Sequence, residues 1–235
     1  KATNLLLKSP QELTSKEYDI IAGLHFEETE DVVRTKLDDA LGIAMIQELF
    51  EATDPRNTPS LFAILTVEEE AGKHGAKKAV KALKKRESEI SELIVLDTTN
   101  KIKPGEGFAL YERCGEGFGS FEMGGWYGGE QDGDWDDQES WNFMGLPVSR
   151  TVSKKEKEPL VKKLEEFAER GNFNMHTVLS GSNDSNVFAR DTNIPTVALE
   201  PPIRGMHSAI ESAFKEDINH LREFLRFYTE NFQPL

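Results

Sequence analysis

The sequence predicts an α/β protein, a three-layer α/β/α sandwich around a largely parallel mixed sheet, and three observations carry that prediction. Short apolar runs of strand length alternate with amphipathic helical stretches over most of the chain. The runs Leu61–Val67 (LFAILTV) and Leu93–Leu96 (LIVL) are apolar at consecutive positions, as strands covered on both faces require. Residues able to do chemistry, notably Glu68 to Glu70 and Asp97, follow directly on such runs, where an open α/β sheet gathers its ligands.

Taken in order, Ser9 and Pro10 form an N-cap with Pro at the first helical position, which opens a helix to about Tyr18. Asp19–Leu24 (DIIAGL) reads as a short buried strand. Asp39–Ala52 sets Leu41, Met45, Leu49 and Phe50 on one helical stripe, ended by Asp54-Pro55 and the polar stretch Asn57–Ser60. Leu61–Val67 is read as a strand and about 75–89 as a basic helix. Leu93–Leu96 and Gly107–Tyr111 are strands, Glu156–Arg170 an amphipathic helix, Met175–Leu179 and Thr196–Leu199 strands, and Ala209–Phe232 the last helix. GEGF at 105–108 and again at 115–118 marks two turns flanking one strand. The Gly-rich, acidic stretch of about 115–142 holds Trp126, Trp135 and Trp141 and reads as a surface excursion from a single catalytic-type domain spanning 1–235.

Composition narrows the function. The chain has 235 residues, 37% of them hydrophobic and 30% charged, with a net charge of −14. That is enough chain for a sizeable core, and the acidic balance excludes general nucleic-acid binding, which needs clustered Lys and Arg. The one dense basic run, Lys73 to Arg86, is a solvated helix face. A single cysteine, Cys114, forms no internal disulfide. No apolar run approaches the roughly 18 to 20 residues that span a bilayer, so the expectation is a cytoplasmic protein without a membrane partner. The chain starts at Lys1 without Met, and further catalytic-domain chain is expected upstream.

Asp38-Asp39 precedes a helix, Glu68-Glu69-Glu70 follows LFAILTV, Asp97 follows LIVL, and His207 follows the loop EPPIRGM. Three adjacent glutamates at a strand end repel one another unless solvent or a cation compensates. Carboxylates with His suit Zn²⁺, Mn²⁺ or Co²⁺, and a bridging Asp holds two such ions roughly 3.5 to 4 Å apart. The Asp-rich stretch DGDWDDQE lacks Gly at its sixth position and an acid at its twelfth, which argues against an EF-hand.

With these residues in view, the motifs KLDDALGIAM, TVEEEAGKHGA, LIVLDTT and PPIRGMHSAIE, in this order, resemble the dinuclear zinc aminopeptidases of peptidase clan MH. Within the clan they are most similar to the tetrahedral (glutamyl and deblocking) aminopeptidase family. The resemblance covers about Lys36 to the C-terminus. It implies two divalent metal ions, zinc with cobalt or manganese as alternatives, bridged by Asp38, with Glu70 and His207 completing one site and Asp97 belonging to the other. It also implies Glu69 as general base, a cis peptide between Asp38 and Asp39, and a peptide or small amide substrate. The family's His-x-Asp motif is absent, and His25-Phe26-Glu27 stands in its place, which makes His25 the candidate for the remaining ligand. Only 13 residues separate His25 from Asp38, leaving no room for the family's usual inserted domain. A homo-oligomer would therefore need another interface. Gly-Thr-Asp of the family appears as Ser182-Asn183-Asp184, and Arg204 is a candidate contact for a substrate carboxylate or carbonyl. Two other readings stay open: a non-catalytic relative that binds a ligand or partner, and a clan-related metal-dependent amidase or deacylase.

Overall fold

The computed structural model describes residues 26–53, 61–111, 158–178 and 182–234. The chain divides into two units, Lys1–Glu116 with Glu158–Leu235 and Gly117–Lys157, and every described residue belongs to the first. The expected N-terminal helix, the strand Asp19–Leu24, His25, Cys114 and the Trp-bearing excursion lie outside the described residues.

Twelve elements follow one another: β1 (Glu27–Glu28), β2 (Val32–Thr35), α1 (Ala40–Ala52), α2 (His74–Leu83), β3 (Leu93–Leu96), β4 (Phe108–Tyr111), α3 (Pro159–Gly171), β5 (Met175–Val178), α4 (Ser185–Asp191), β6 (Thr196–Glu200), β7 (Glu211–Phe214) and α5 (Lys215–Glu230). The main sheet runs β3-β6-β4-β5. β3 pairs parallel with β6 and β4 with β5, whereas β4 and β6 are antiparallel, so the sheet is mixed as expected. Alternate residues of these strands face opposite layers. Leu96, Phe108, Leu110 and Leu199 pack against α3 and α5. On the opposite face Leu93 and Val95 meet Ala76, Val80, Val187 and Phe188 from α2 and α4.

The larger core is aromatic. The Phe224 ring lies 5.1 Å from Phe108, 5.5 Å from Phe173 and 6.1 Å from Tyr228, in the tilted, edge-on and stacked arrangements that ring quadrupoles favour. Lys163 crosses this layer buried, its charge met by Glu92 at 3.0 Å and its ammonium 4.4 Å from the Phe232 ring.

Three expectations are corrected. Leu61–Val67 joins no ladder among the described residues, and Leu65 and Val67 are each 61% exposed. Its backbone instead feeds the turn into α2, where the Gly75 amide donates to the Val67 carbonyl at 2.9 Å. A Cβ at Gly75 would come within 2.4 Å of the Val67 backbone nitrogen, so that approach requires glycine. The final helix begins at Lys215, because Glu211–Phe214 forms β7 with Glu211 and Ala213 buried. That strand builds a second sheet, β1-β2-β7, antiparallel throughout, which the periodicity did not reveal. Finally, the basic helix stops at Leu83, six residues short of expectation, and continues as a 3-10 turn at Glu87–Glu89.

Phe224→Ala should cost about 3–5 kcal/mol in denaturant unfolding, whereas Phe62→Ser, at an exposed position, should leave the midpoint nearly unchanged. Equal losses for the two would contradict this placement of the core.

Candidate metal centre and active site

The two sheets deliver the candidate residues to one cleft of about 980 Å³, lined by Asp38, Asp39, Glu68 to Glu70, Asp97 and Asp184 among others. β2 runs into Asp38, whose peptide bond to Asp39 is cis. Asp39 caps α1, its carboxylate accepting from the Gly42 amide at 2.9 Å, and a Cβ at position 42 would strike that carboxylate at 2.5 Å. The turn from Val67 to α2 carries the three glutamates. β3 ends one residue before Asp97, and β6 ends at Glu200 beside it. The loop after β6 then brings in His207.

Asp38, Glu70 and His207 converge. His207 Nε2 lies 2.9 Å from Glu70 Oε1 and 3.5 Å from Asp38 Oδ2. One potential ligand atom from each residue falls within 4.8 Å of the other two, the single such group of three among the described residues. Two carboxylates and an imidazole form a donor set that fits a borderline divalent cation. Asp38 is nearly buried while Glu70 and His207 are more than half exposed, so the group opens toward solvent on one side. Asp97 lines the same cleft outside this trio, its Oδ1 accepting from the Thr98 amide at 2.7 Å.

Glu69 faces differently from its neighbour. It is half-buried, with Lys73 Nζ 3.7 Å from Oε1. Lys73 is itself anchored across the cleft, donating to the Asn183 carbonyl at 2.7 Å and the Ser182 hydroxyl at 3.0 Å. Burial pushes the Glu69 carboxyl up from its ordinary value; Lys73 opposes, and Glu70, Asp184 and Asp38 add to the rise.

Arg204 stands apart. It is exposed, does not line the cleft, and places its guanidinium 5.3 Å from the Phe214 ring. His25 lies outside the described residues. Several residues that sequence reasoning missed join the site. Glu200 is buried and accepts from Asn183; burial pushes its carboxyl up to about 8. The signal was present, since a charged residue closing the apolar run TVAL invites the question of what compensates it. Asp184 is 4% exposed, and its Oδ1 has no hydrogen-bond partner. Glu211 is wholly buried at the start of β7 and accepts from Lys36 and from the amides of Leu37, Asp38 and His207. Burial alone would raise its carboxyl, but these donors hold it below its ordinary value.

Three non-glycine residues of the site, Glu68, Lys73 and His207, have φ of 59°, 58° and 64°. The left-handed region is costly for such residues and persists where surrounding contacts over-determine it, often at functional sites.

Known proteins resemble the chain in sequence and in fold. The M42 glutamyl aminopeptidase family model matches residues 20–119. The resemblance to M42 aminopeptidases is borne out. Solved structures share the fold. An aminopeptidase from the archaeon Desulfurococcus kamchatkensis superposes with a TM-score of 0.62 at 16% identity, covering 89% of this chain and 52% of that one. The TET1 peptidase of Pyrococcus horikoshii gives 0.55 at 17%, covering 88% and 53%, and an M18-family aminopeptidase from Thermotoga maritima gives 0.59 at 15%, covering 88% and 48%. At these identities the likeness establishes the fold alone. The chain spans about half the length of these M42-like and M18 structures. No curated protein sequence matches.

The crowded carboxylates set a pH dependence. Burial first, then neighbouring negative charge, pushes Asp39 up to about 7 and Asp97 to about 9, with Glu200 at about 8. Each binds its proton more tightly folded than unfolded, so the metal-free fold loses stability as pH rises from the ordinary carboxylate range near 4 through these values. Thermal midpoints of chelator-treated protein should fall between about pH 5 and pH 9, and added Zn²⁺ should restore most of the loss at the upper end. A midpoint that rises steadily over that window would contradict the crowding.

Proposed function

We propose that the chain is a metal-dependent aminopeptidase that uses two divalent ions and Glu69 as general base. The observation that carries the reading is the convergence of Asp38, Glu70 and His207 beside the half-buried Glu69. In this reading Asp38, Glu70 and His207 hold one ion, zinc with cobalt or manganese as alternatives. Asp38 and Asp97 would hold the second, with His25 the candidate for its remaining ligand. Bound there, the ions supply polarisation of the scissile carbonyl and acidify water.

The chain's own groups do the rest. Glu69 accepts the proton of the attacking water at a carboxylate oxygen and passes it to the leaving amine. A carboxyl raised by burial suits both roles better than an ordinary glutamate, because proton transfer in each direction is more evenly balanced. Lys73 holds Glu69 against the 182–186 segment and so fixes where the proton is received. The net charge of −14 modestly favours approach of the protonated N-terminus of a peptide. The apolar side chains of Ile43, Phe50 and Phe62 line the same cleft and give the substrate's side chain a non-polar wall. Arg204, exposed with its guanidinium 5.3 Å from the Phe214 ring, remains a candidate contact for a substrate carboxylate or carbonyl. Among the described residues no helix is long and apolar enough to cross a membrane. The Pyrococcus horikoshii relative assembles into a tetrahedron or a large octahedral shell; by analogy we propose a homo-oligomer here also.

The test pairs elemental analysis with turnover of unblocked amino-acid anilides. Wild type should hold about two ions per chain, and Glu69→Gln should keep them while losing roughly 10²- to 10⁴-fold in turnover. A Glu69→Gln protein as active as wild type would sink the assignment of the base. His207→Ala should lose both activity and about one equivalent of metal; full metal content in that variant would remove His207 from the ligand set.

A further inference from the structure

Among the described residues, Glu211 is hydrogen-bonded to two of the three segments that supply the Asp38–Glu70–His207 group, those of Asp38 and His207. Its Oε2 accepts from the amides of Leu37 at 2.7 Å and Asp38 at 3.0 Å. Its Oε1 accepts from the His207 amide at 2.8 Å and from Lys36 Nζ at 2.6 Å. A carboxylate offers about four lone-pair sites on two oxygens, and these donors use them all. The two oxygens are a fixed distance apart, so the Asp38 amide and the His207 amide are held at a fixed separation.

The surroundings make that hold stiff. Glu211 is 0% exposed, so no water competes for its oxygens. Its backbone is paired opposite Thr35 in the β2–β7 ladder, three residues before Asp38. Its side chain therefore reaches forward along the same segment its main chain already grips. On the other side it accepts from the amide of His207, whose backbone is left-handed with φ of 64°. Lys36 balances the carboxylate's charge, so the clamp is held without an unpaired buried charge.

We propose that Glu211 is a positioning residue for the metal centre: by accepting the amides of Asp38 and His207 on one carboxylate it sets the spacing of these two ligands, and with it the affinity for a divalent cation. The inference rests on the reading above that Asp38, Glu70 and His207 hold an ion. A ligand held by a partner in this way typically owes that partner about 10- to 100-fold in metal affinity.

A purely structural role is the competing account, and Asp217 provides its control. That residue is also 0% exposed and also accepts backbone amides, from Gly105 at 2.7 Å and Gly107 at 2.8 Å, but neither of these belongs to a candidate metal ligand. Zn²⁺ affinity would be measured by chelator competition on the full chain for wild type, Glu211→Gln, Glu211→Asp and Asp217→Asn, alongside thermal midpoints and the visible spectra of the Co²⁺-loaded forms. Gln keeps the shape of Glu but presents an NH₂ to donors, and Asp keeps the charge but falls one methylene short. Both should bind Zn²⁺ at least tenfold more weakly and show altered Co²⁺ spectra, while Asp217→Asn loses thermal stability yet stays within about twofold of wild-type affinity. Should Glu211→Gln fail to fold, Glu211→Asp decides alone. Wild-type affinity in the folded Glu211 variants, or an equal loss in Asp217→Asn, overturns the proposal and leaves the metal centre standing. A wild-type chain that binds no Zn²⁺ overturns both.

Discussion

Everything at the carboxyl end of the main sheet answers to one electrostatic constraint, the burial of several carboxylates in a single cleft. Asp38, Asp39, Asp97, Asp184 and Glu200 are all largely withdrawn from water, and each raises the cost of ionising its neighbours. Protein donors answer only part of this. Asn183 serves Glu200, Gly42 serves Asp39 and the Thr98 amide serves Asp97. Asp184 Oδ1 and Thr98 Oγ1 are left without partners. Protonation or a bound cation must supply the remainder, and of the two only a cation keeps the carboxylates charged near neutral pH.

The scaffold is divided in keeping with that load. The four-stranded sheet, packed on both faces, sets Asp97 and Glu200 side by side at the ends of parallel strands. The antiparallel sheet does something the larger one cannot. By pairing β2 with β7 it brings the residues before Asp38 alongside the residues after His207, although the two ligands are far apart in sequence. The isolated bridge between Arg204 and Ser212 closes the intervening loop on itself, so His207 projects from a short, backbone-tied excursion. Asp38 and His207 are thus held by one sheet, Glu70 is brought to them by the turn before α2, and the carboxylates of the other sheet line the same site.

The parts that sequence revealed and the parts it concealed differ in physical kind. β3, β4 and β6, covered on both sides, show as mostly apolar runs, β5 was read despite its exposed His176, and α1 and α3 show as stripes; each was found within a few residues. The ligand trio was legible through ordered motifs, because spacing and residue type survive where overall identity does not. β7 escaped because Glu211-Ser-Ala-Phe hides a buried charge at its first inward position, and alternation that begins with Glu does not read as a strand. β1 and β2 escaped because they are short and only half covered. Leu61–Val67 misled for the opposite reason: its apolar run predicts a covered strand, yet it joins no ladder among the described residues and Leu65 and Val67 are each 61% exposed. Asp184 was missed as a site residue because its importance lies in an oxygen that lacks a partner, a property of three-dimensional neighbours, whereas Glu200 carried a signal at the end of TVAL that periodicity alone did not weigh.

Glu69 and Glu70 show most directly how environment, and not residue type, assigns roles. They are adjacent, chemically identical, and placed by a turn flanked by left-handed residues at 68 and 73. One turns outward to meet His207 and stays more than half exposed, where a carboxylate remains a good anionic ligand. The other turns inward, loses solvent, gains Lys73 and shifts its carboxyl upward. In the proposed reading this difference in setting divides the work, the exposed carboxylate taking part in binding and the half-buried one, raised by loss of solvent, in proton transfer.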